Sequence, residues 1–329
     1  MSEQFQAYQV GKTEDGQRCA LTQLDDSDLM DGDVTVRVEY TTLNYKDGLA
    51  LTGRSPIIRK FPLTPGIDFS GTVLESEHAD FKAGDQVILN GFGVGEAHSG
   101  GYAQKARVSG DWLVPVPDGL DTRRAMAIGT AGYTAMLCVL ALEGHGIKPD
   151  AGDILVTGAA GGVGSVAVAV LSKLGYRVVA STGRLQESEF LQGLGAAEVV
   201  DRSGFAEPAR PLGREVWAGA IDVAGGNTLA NVLSQIKRGG AAAICGLAES
   251  MNLPTSVAPF ILRGIAMYGI DSVMAPIPLR KQAWQRLVSD LDFKLLDELS
   301  FDLDFADLPQ AGADILDGKI RGRAIVKLP

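Results

Sequence analysis

The stretch "VTGAAGGVGSVAVAVLSKLGYRVVASTGR", residues 156–184, decides the fold. It reads as the end of a strand, a glycine-rich turn, a helix and a second strand. The helix carries Val163, Val166, Ala167, Val170, Leu171 and Leu174, an i, i+3, i+4, i+7 stripe able to pack on a sheet. Ala160, Gly161, Gly162, Val163 and Gly164 stand where the helix's free N–H groups begin. Small residues are needed there, because a pyrophosphate reaches those groups only where no Cβ intervenes. The strict fingerprint is GxGxxG; here Ala159 takes the first glycine position, and Gly161 and Gly164 the second and third. Placed between the run "DILVT" and the striped helix, the pattern predicts a dinucleotide site on a doubly wound sheet.

The second strand selects the nucleotide. An NAD enzyme usually places Asp or Glu about twenty residues after the turn, where it binds the ribose 2′-hydroxyl. Here the strand ends in Ser181, Thr182, Gly183 and Arg184, with no acid. A carboxylate would repel a 2′-phosphate, whereas hydroxyls, a backbone N–H and a guanidinium hold one. NADPH is the expected cofactor. Arg202, just after the strand "AEVVD", either reaches the same phosphate or is a solvated surface arginine.

Working outward, strands and helices alternate from Asp153: "DILVT", "VGSVAVAVLSKLG", "RVVAS", "FLQGLGA", "AEVVD", "GAIDVA", "TLANVLSQIKRGG", "AAAICGL" and "AMYGIDS". That order implies an α/β fold with a parallel sheet and crossover helices. Before about residue 120 the pattern is instead many short strands between Gly and Pro turns, as in "VTVRVEYTTLN", "FSGTVLES" and "DQVILNG". Between the two regions, "TRRAMAIGTAGYTAMLCVLALEGHG" is apolar at helical spacing. After Ser272 the alternation breaks; "RKQAWQRLVSDLDFKLL" reads as one amphipathic helix, and the chain ends in a helix, a turn and a strand.

A chain of 329 residues favours two domains, and 46% hydrophobic with 21% charged residues describes a globular protein. The formal charge of −10 disfavours nucleic acid or an anionic membrane as partner. No apolar run is read as long enough to cross a bilayer, and "MSEQFQAYQV" lacks a basic stretch followed by an apolar one, so a cytoplasmic location is expected. Cys19, Cys138 and Cys245 make no CxxC pair, and His78, His98 and His145 are scattered, against a disulfide framework or a structural zinc site.

The strings "PGIDFSGTV" (65–73), "GDQVI" (84–88), "GGYAQKARV" (100–108), "AMAIGTAGYTA" (125–135), "GAAGGVGS" (158–165) and "GKIRGRAIVKL" resemble the medium-chain dehydrogenase/reductase superfamily along nearly the whole chain. The resemblance implies a GroES-like β-barrel domain from both termini, 1–122 and 300–329, and a Rossmann NADPH-binding domain at 123–299. Zinc members carry Gly-His-Glu where this chain has Gly66, Ile67 and Asp68. Neither that triplet nor "TTLNYKDG" supplies a thiolate or imidazole, so no metal is expected. The resemblance is to the zinc-free, quinone-oxidoreductase-like branch. Within it, "LNYKDGLALTGRSPIIRKFPLTPGIDFSGTV", "IGTAGYTAMLCVLALE" and "PFILRGIAMYGIDSVM" look like the acrylyl-CoA reductase group. This implies NADPH-dependent reduction of acrylyl-CoA to propionyl-CoA, and a homodimer joined at Rossmann sheet edges, here at "AMYGIDSVM".

Such a reaction develops negative charge on a thioester oxygen, which fixed hydrogen-bond donors stabilise where water is excluded. The candidates are Asn44, Tyr45, Lys46 and Asp47 in "LNYKD", Asn90 after "QVIL", and Arg323 in the terminal "RGR". By resemblance Tyr45 lies against the nicotinamide. Asn90 is either an enolate donor or a turn residue bonding its own backbone. Arg323 either binds a phosphate or the thioester oxygen, or is a solvated strand-end arginine. Asp68 either positions Lys46 or a water, or forms a structural salt bridge. Leu247, Ile261 and Ser272 come in as cofactor neighbours by resemblance, although periodicity alone assigns Leu247 and Ile261 to the core. Arg54, Arg59 and Lys60 in "TGRSPIIRKFP" either meet CoA phosphates or form a solvated loop. Two alternatives stand: a quinone or small-enone oxidoreductase with the same cofactor, and an NADPH-binding structural or RNA-binding protein with incidental activity.

Overall fold

The computed structural model describes residues 4–14 and 16–329. The chain forms two compact units. The first comprises residues up to Thr130, Val273–Gln282 and Leu296–Pro329; the second comprises Ala131–Ser272 and Ala283–Leu295.

In the first unit a seven-stranded sheet runs in the order Ser300–Leu303, Arg323–Lys327, Val34–Leu43, Asp68–Ser76, Gln86–Asn90, Leu113–Pro115, with Lys105–Val108 also pairing to Val34–Leu43. Val34, Val36 and Val38 fall two apart on one face and are buried; on the other face Arg37 is exposed while Thr35 is buried. The valines pack with Phe69, Val73, Val87 and Leu89. The C-terminal strand joins this sheet antiparallel to Val34–Leu43, with Ala324 opposite Leu43. That register carries Arg323 to the strand's inner end.

The second unit holds a six-stranded parallel sheet in the order Glu198–Asp201, Val178–Thr182, Ile154–Val156, Trp217–Asp222, Ile236–Ile244, Ala266–Gly269. Numbered along the chain this is 3-2-1-4-5-6, and the order reverses between Ile154–Val156 and Trp217–Asp222, the point where open α/β sheets bind ligands. Helix Gly162–Lys173 is buried continuously from Gly164 to Leu171, on more than the single stripe expected from its sequence.

Three expectations need correction. Thr122–His145 is long and apolar enough to cross a membrane by length and composition, with mean hydropathy 1.8 over 18 residues, but 83% of that window is buried within the protein. Its apolarity is core packing, and the helix is broken at Gly129 (φ 52°, ψ −163°). The helix expected over "TLANVLSQIKRGG" ends at Gln235; Ile236 is extended, buried and paired with Trp217, so "IKRGG" already belongs to a strand. The helix expected over "RKQAWQRLVSDLDFKLL" is two, Ile277–Asp290 and Phe293–Leu299, because Asp292 accepts a bond from the Lys294 N–H at 2.8 Å and starts a new helix.

Candidate active site and dinucleotide cradle

The glycine-rich turn is tied to the neighbouring strand. The Ala159 N–H donates to the Ser181 carbonyl at 3.0 Å, and the Gly161 N–H to the Gly158 carbonyl at 2.9 Å. Gly161 caps helix Gly162–Lys173 with no side-chain hydrogen bond, and as a glycine it puts no Cβ over the helix start. A Cβ on Gly164 would lie 2.5 Å from the Gly158 oxygen, so only glycine lets helix and turn meet there. Arg184 donates from Nη2 to the Ala160 carbonyl at 3.1 Å and from its backbone N–H to Thr182 Oγ1 at 3.0 Å. Arg202 lies over Gly183, where an added Cβ would come within 2.5 Å of its Nε. The Ser181 hydroxyl is buried and has no hydrogen-bond partner. The Asp201 carboxylate, in register with Thr182, accepts from the Ser203 N–H at 2.8 Å.

The structure thus gathers Ala160, Gly161, Gly162, Val163, Gly164, Ser181, Thr182, Gly183, Arg184 and Arg202 around the ends of three adjacent strands, Ile154–Val156, Val178–Thr182 and Glu198–Asp201. An uncapped helix start and two guanidiniums fit a dinucleotide with a 2′-phosphate. Across the switch point, Asp222 accepts from Thr157 Oγ1 at 2.7 Å and from the Gly225 N–H at 2.7 Å, and burial pushes its carboxyl up. Sequence reasoning missed this pair. Its signal was a polar residue closing each of the two central apolar strands.

The first unit buries a polar cluster. Asp47 Oδ2 accepts from the backbone N–H and the Nδ2 of Asn44 at 2.9 and 3.0 Å, closing the start of helix Tyr45–Thr52, and Oδ1 accepts from the Ile67 N–H at 3.0 Å. Asp68 Oδ1 accepts from the Thr42 hydroxyl at 2.7 Å, and Oδ2 from Asn44 Nδ2 at 3.2 Å and the Thr130 N–H at 2.8 Å. Arg323 donates from Nε to the Ala127 carbonyl at 3.0 Å and from Nη1 to Asn44 Oδ1 at 3.4 Å. Its Nη2 is buried without a hydrogen-bond partner. A Cβ on Gly129 would sit 2.3 Å from that Nη2. Tyr102 donates to the Thr42 carbonyl at 3.0 Å.

Burial, and then the negative charge of Asp68, push the Asp47 carboxyl up to about 7. Burial pushes the Arg323 guanidinium down, opposed by Asp68 and Asp47. The Asn44 side chain is thus hydrogen-bonded to two acids and one guanidinium. Tyr45, the next residue, is 47% exposed. Asn90 is 2% exposed and donates one amide N–H to Thr130 Oγ1 at 3.1 Å. Thr42, Tyr102, Gly129 and Thr130 escaped sequence reasoning, because strand threonines and a glycine inside an apolar helix carry no chemical signature of their own.

Several open readings now close. Arg323 is 2% exposed, which removes the solvated one. Asp68 does not hold Lys46, whose Nζ pairs instead with Glu96 at 2.9 Å. Arg54 pairs with Asp317 at 3.0 Å and Arg59 with Glu96 at 3.9 Å, while Lys60 is exposed. Leu247 and Ile261 are 61% and 73% exposed, so the core assignment from periodicity is wrong for both. Leu247 lies in the loop beyond strand Ile236–Ile244, and Ile261 on the short helix Ala258–Arg263, of which only Pro259 is buried. Ser272 is half-buried. Among the described residues, no three His, Cys, Asp or Glu side chains are grouped to hold a metal ion.

A 3-2-1-4-5-6 sheet with a phosphate cradle at its turn, carried in one chain with a GroES-like unit, defines a dinucleotide-dependent oxidoreductase. Residues 30–118 match the alcohol dehydrogenase GroES-like domain family, and residues 162–291 the zinc-binding dehydrogenase family. The chain is 54% identical to the probable acrylyl-CoA reductase AcuI of Escherichia coli, covering 96% of this chain and 97% of that one. It is 52% identical to the acrylyl-CoA reductase AcuI of Ruegeria pomeroyi, covering 98% of each. The yhdH oxidoreductase of Salmonella enterica in complex with NADP superposes with TM-score 0.97 at 50% identity, over 98% of this chain and 100% of that one. Bacillus subtilis yhfP with NAD bound superposes with TM-score 0.95 at 43% identity, over 99% and 100%. The chain belongs to the medium-chain dehydrogenase/reductase family, in its quinone-oxidoreductase-like branch.

Proposed function

We propose that this chain uses NADPH to reduce the 2,3 double bond of acrylyl-CoA, giving propionyl-CoA. The observation that carries the reading is the strand end at residues 181–184, where Arg184 and Arg202 flank an exposed glycine and no carboxylate takes the place of a ribose-binding acid. The substrate follows from the two relatives named acrylyl-CoA reductase. NADPH, when bound, supplies the hydride that adds to the β carbon of the alkene. The pyrophosphate would rest on Gly161 to Gly164 and the 2′-phosphate between Arg184 and Arg202, with the hydroxyl of Ser181 or Thr182 as a further donor. Leu247, Ile261 and Ser272 would flank the cofactor.

The remaining work falls to the first unit. As negative charge moves to the thioester oxygen, Asn90 Nδ2 offers the amide N–H that Thr130 does not take. Tyr45 would pack against the nicotinamide and present Oη as a donor, and the α carbon would take its proton from Oη or from water. Arg323 acts behind them: it reaches no solvent, and it fixes Asn44, the residue from which the Tyr45 helix starts. Orientation supplies much of the remaining rate.

Reduction of a quinone or small enone is the second reading. It is favoured by the pairing of Arg54 and Arg59 with acids, which leaves less positive charge for CoA phosphates. The proposal extends to a cytoplasmic homodimer, in which residues 1–122 and 300–329 bind substrate and 123–299 bind NADPH. Its edge strand Ala266–Gly269 exposes Met267 and Tyr268, an unpaired apolar edge of the kind a second copy covers. Steady-state rates with acrylyl-CoA, crotonyl-CoA, a free enone and a quinone, each with NADPH and NADH, test the whole. The expected result is the highest kcat/KM for acrylyl-CoA with NADPH; a higher value for a quinone refutes it.

A further inference from the structure

Strand Gln86–Asn90 leaves the sheet through an unusual turn. Gly91, Phe92, Gly93 and Gly95 all have positive φ, and Phe92, at 52°, is the single non-glycine residue among those described that does. A side chain in that region costs about 1–2 kcal/mol and persists only where its surroundings over-determine it. Here they do. The Phe92 N–H donates to the Val273 carbonyl at 3.0 Å, and its ring stacks on Trp112 with centroids 6.0 Å apart and planes 9° from parallel. The Arg280 guanidinium sits over the same ring, 4.1 Å from its centroid.

Arg280, on helix Ile277–Asp290, is 1% exposed. Its Nη1 donates to the Asn90 carbonyl at 2.6 Å, Nη2 to the Val273 carbonyl at 2.7 Å, and Nε to the Ala275 carbonyl at 2.7 Å. One planar cation thus bonds two chain segments far apart in sequence and covers an aromatic face. A Cβ on Gly91 would meet the Val273 oxygen at 2.6 Å, so the two segments touch backbone to backbone. Burying a guanidinium is a costly way to close a turn; what it adds over apolar packing is direction.

We propose that Arg280 is a positioning residue, fixing the Asn90 backbone so that Asn90 Nδ2 is aimed at the thioester oxygen. The inference rests on the assignment of Asn90 above. A lysine reproduces the charge but not the fork or the flat face, and methionine reproduces neither.

The test compares the full-length Arg280→Met, Arg280→Lys, Asn90→Ala and Asn90→Ala/Arg280→Met proteins. Measured are kcat and KM for acrylyl-CoA, NADPH affinity by fluorescence titration, and the thermal midpoint. Loss of the donor in Asn90→Ala is expected to lower kcat about 100-fold. Arg280→Met lowers it more than about tenfold through misplacement, with NADPH affinity within about twofold of wild type, and Arg280→Lys lies between. The double variant loses no more kcat than Asn90→Ala, because both changes remove one function. A merely structural arginine would lower the midpoint while leaving kcat within about twofold, or would multiply the loss in the double variant; either result overturns the inference. If Arg280→Met does not fold, Arg280→Lys and Asn90→Ala/Arg280→Lys carry the same comparison. Full activity in Asn90→Ala sinks the Asn90 assignment itself, and this inference with it. Loss in Asn90→Ala beside full activity in Arg280→Met sinks this inference alone.

Discussion

Replacing Arg184 and Arg202 together by alanine isolates the 2′-phosphate from every other feature of the cofactor. Arg184 is partly buried and braced by the Ala160 carbonyl at 3.1 Å, so it meets a phosphate with little ordering left to do. A charge-assisted bond of that kind contributes roughly 2 kcal/mol. Arg202 is exposed, and solvent screening holds its share to about 1 kcal/mol. The sum, about 3 kcal/mol, is a loss of about 100-fold in NADPH affinity at 1.4 kcal/mol per decade. NADH has no 2′-phosphate, so its affinity should move by less than about threefold, which also reports whether the loss of the Ala160 bond has disturbed the turn. Fluorescence titration of both dinucleotides gives the ratio directly, and the NADPH loss should shrink in high salt. Equal weakening of both dinucleotides, or a change of ratio below about threefold, would refute the reasoning.

Gly164→Ala puts a Cβ 2.5 Å from the Gly158 oxygen and should weaken both dinucleotides by more than about tenfold, read by the same titration. Gly129→Ala combines a φ of 52° with a Cβ 2.3 Å from Arg323 Nη2; a loss of roughly 2–4 kcal/mol in urea unfolding is expected. Asp47, pushed up to about 7 by burial and Asp68, keeps in the folded chain a proton that the unfolded chain has already released. Stability should therefore fall as pH rises from the ordinary carboxylate range to about 7, and Asp47→Asn should flatten that slope in unfolding curves taken across it.

Legibility in the sequence followed physical range. The turn at 158–164 and the strand ends around it were readable because each part is local: glycines where a Cβ has no room, an apolar run before, a striped helix after. The acid-free ending at Ser181 to Arg184 was equally local. The polar cluster was only half readable. Asn44, Asp47, Asp68 and Arg323 stood out as chemistry-bearing residues, but their partners Thr42 and Thr130 sit at the end of an apolar strand and beside a helix break. No periodicity records that Asp68 takes the Thr130 N–H while Lys46 turns to Glu96. Helix boundaries failed where a local polar contact or a strand pairing outweighed the apolar pattern, as at Asp292 and Ile236. Leu247 and Ile261 misled because an exposed apolar side chain and a core one share one sequence signature.

The central claim is that this chain delivers hydride from NADPH to the β carbon of acrylyl-CoA. It is tested most directly by mass spectrometry of the product formed from NADPH carrying deuterium at both C4 positions. Propionyl-CoA with a single deuterium on its β carbon is the expected product, and the label should move to the α carbon when unlabelled NADPH is used in deuterated water. Absence of propionyl-CoA, or propionyl-CoA without deuterium from the labelled nucleotide, would contradict the account.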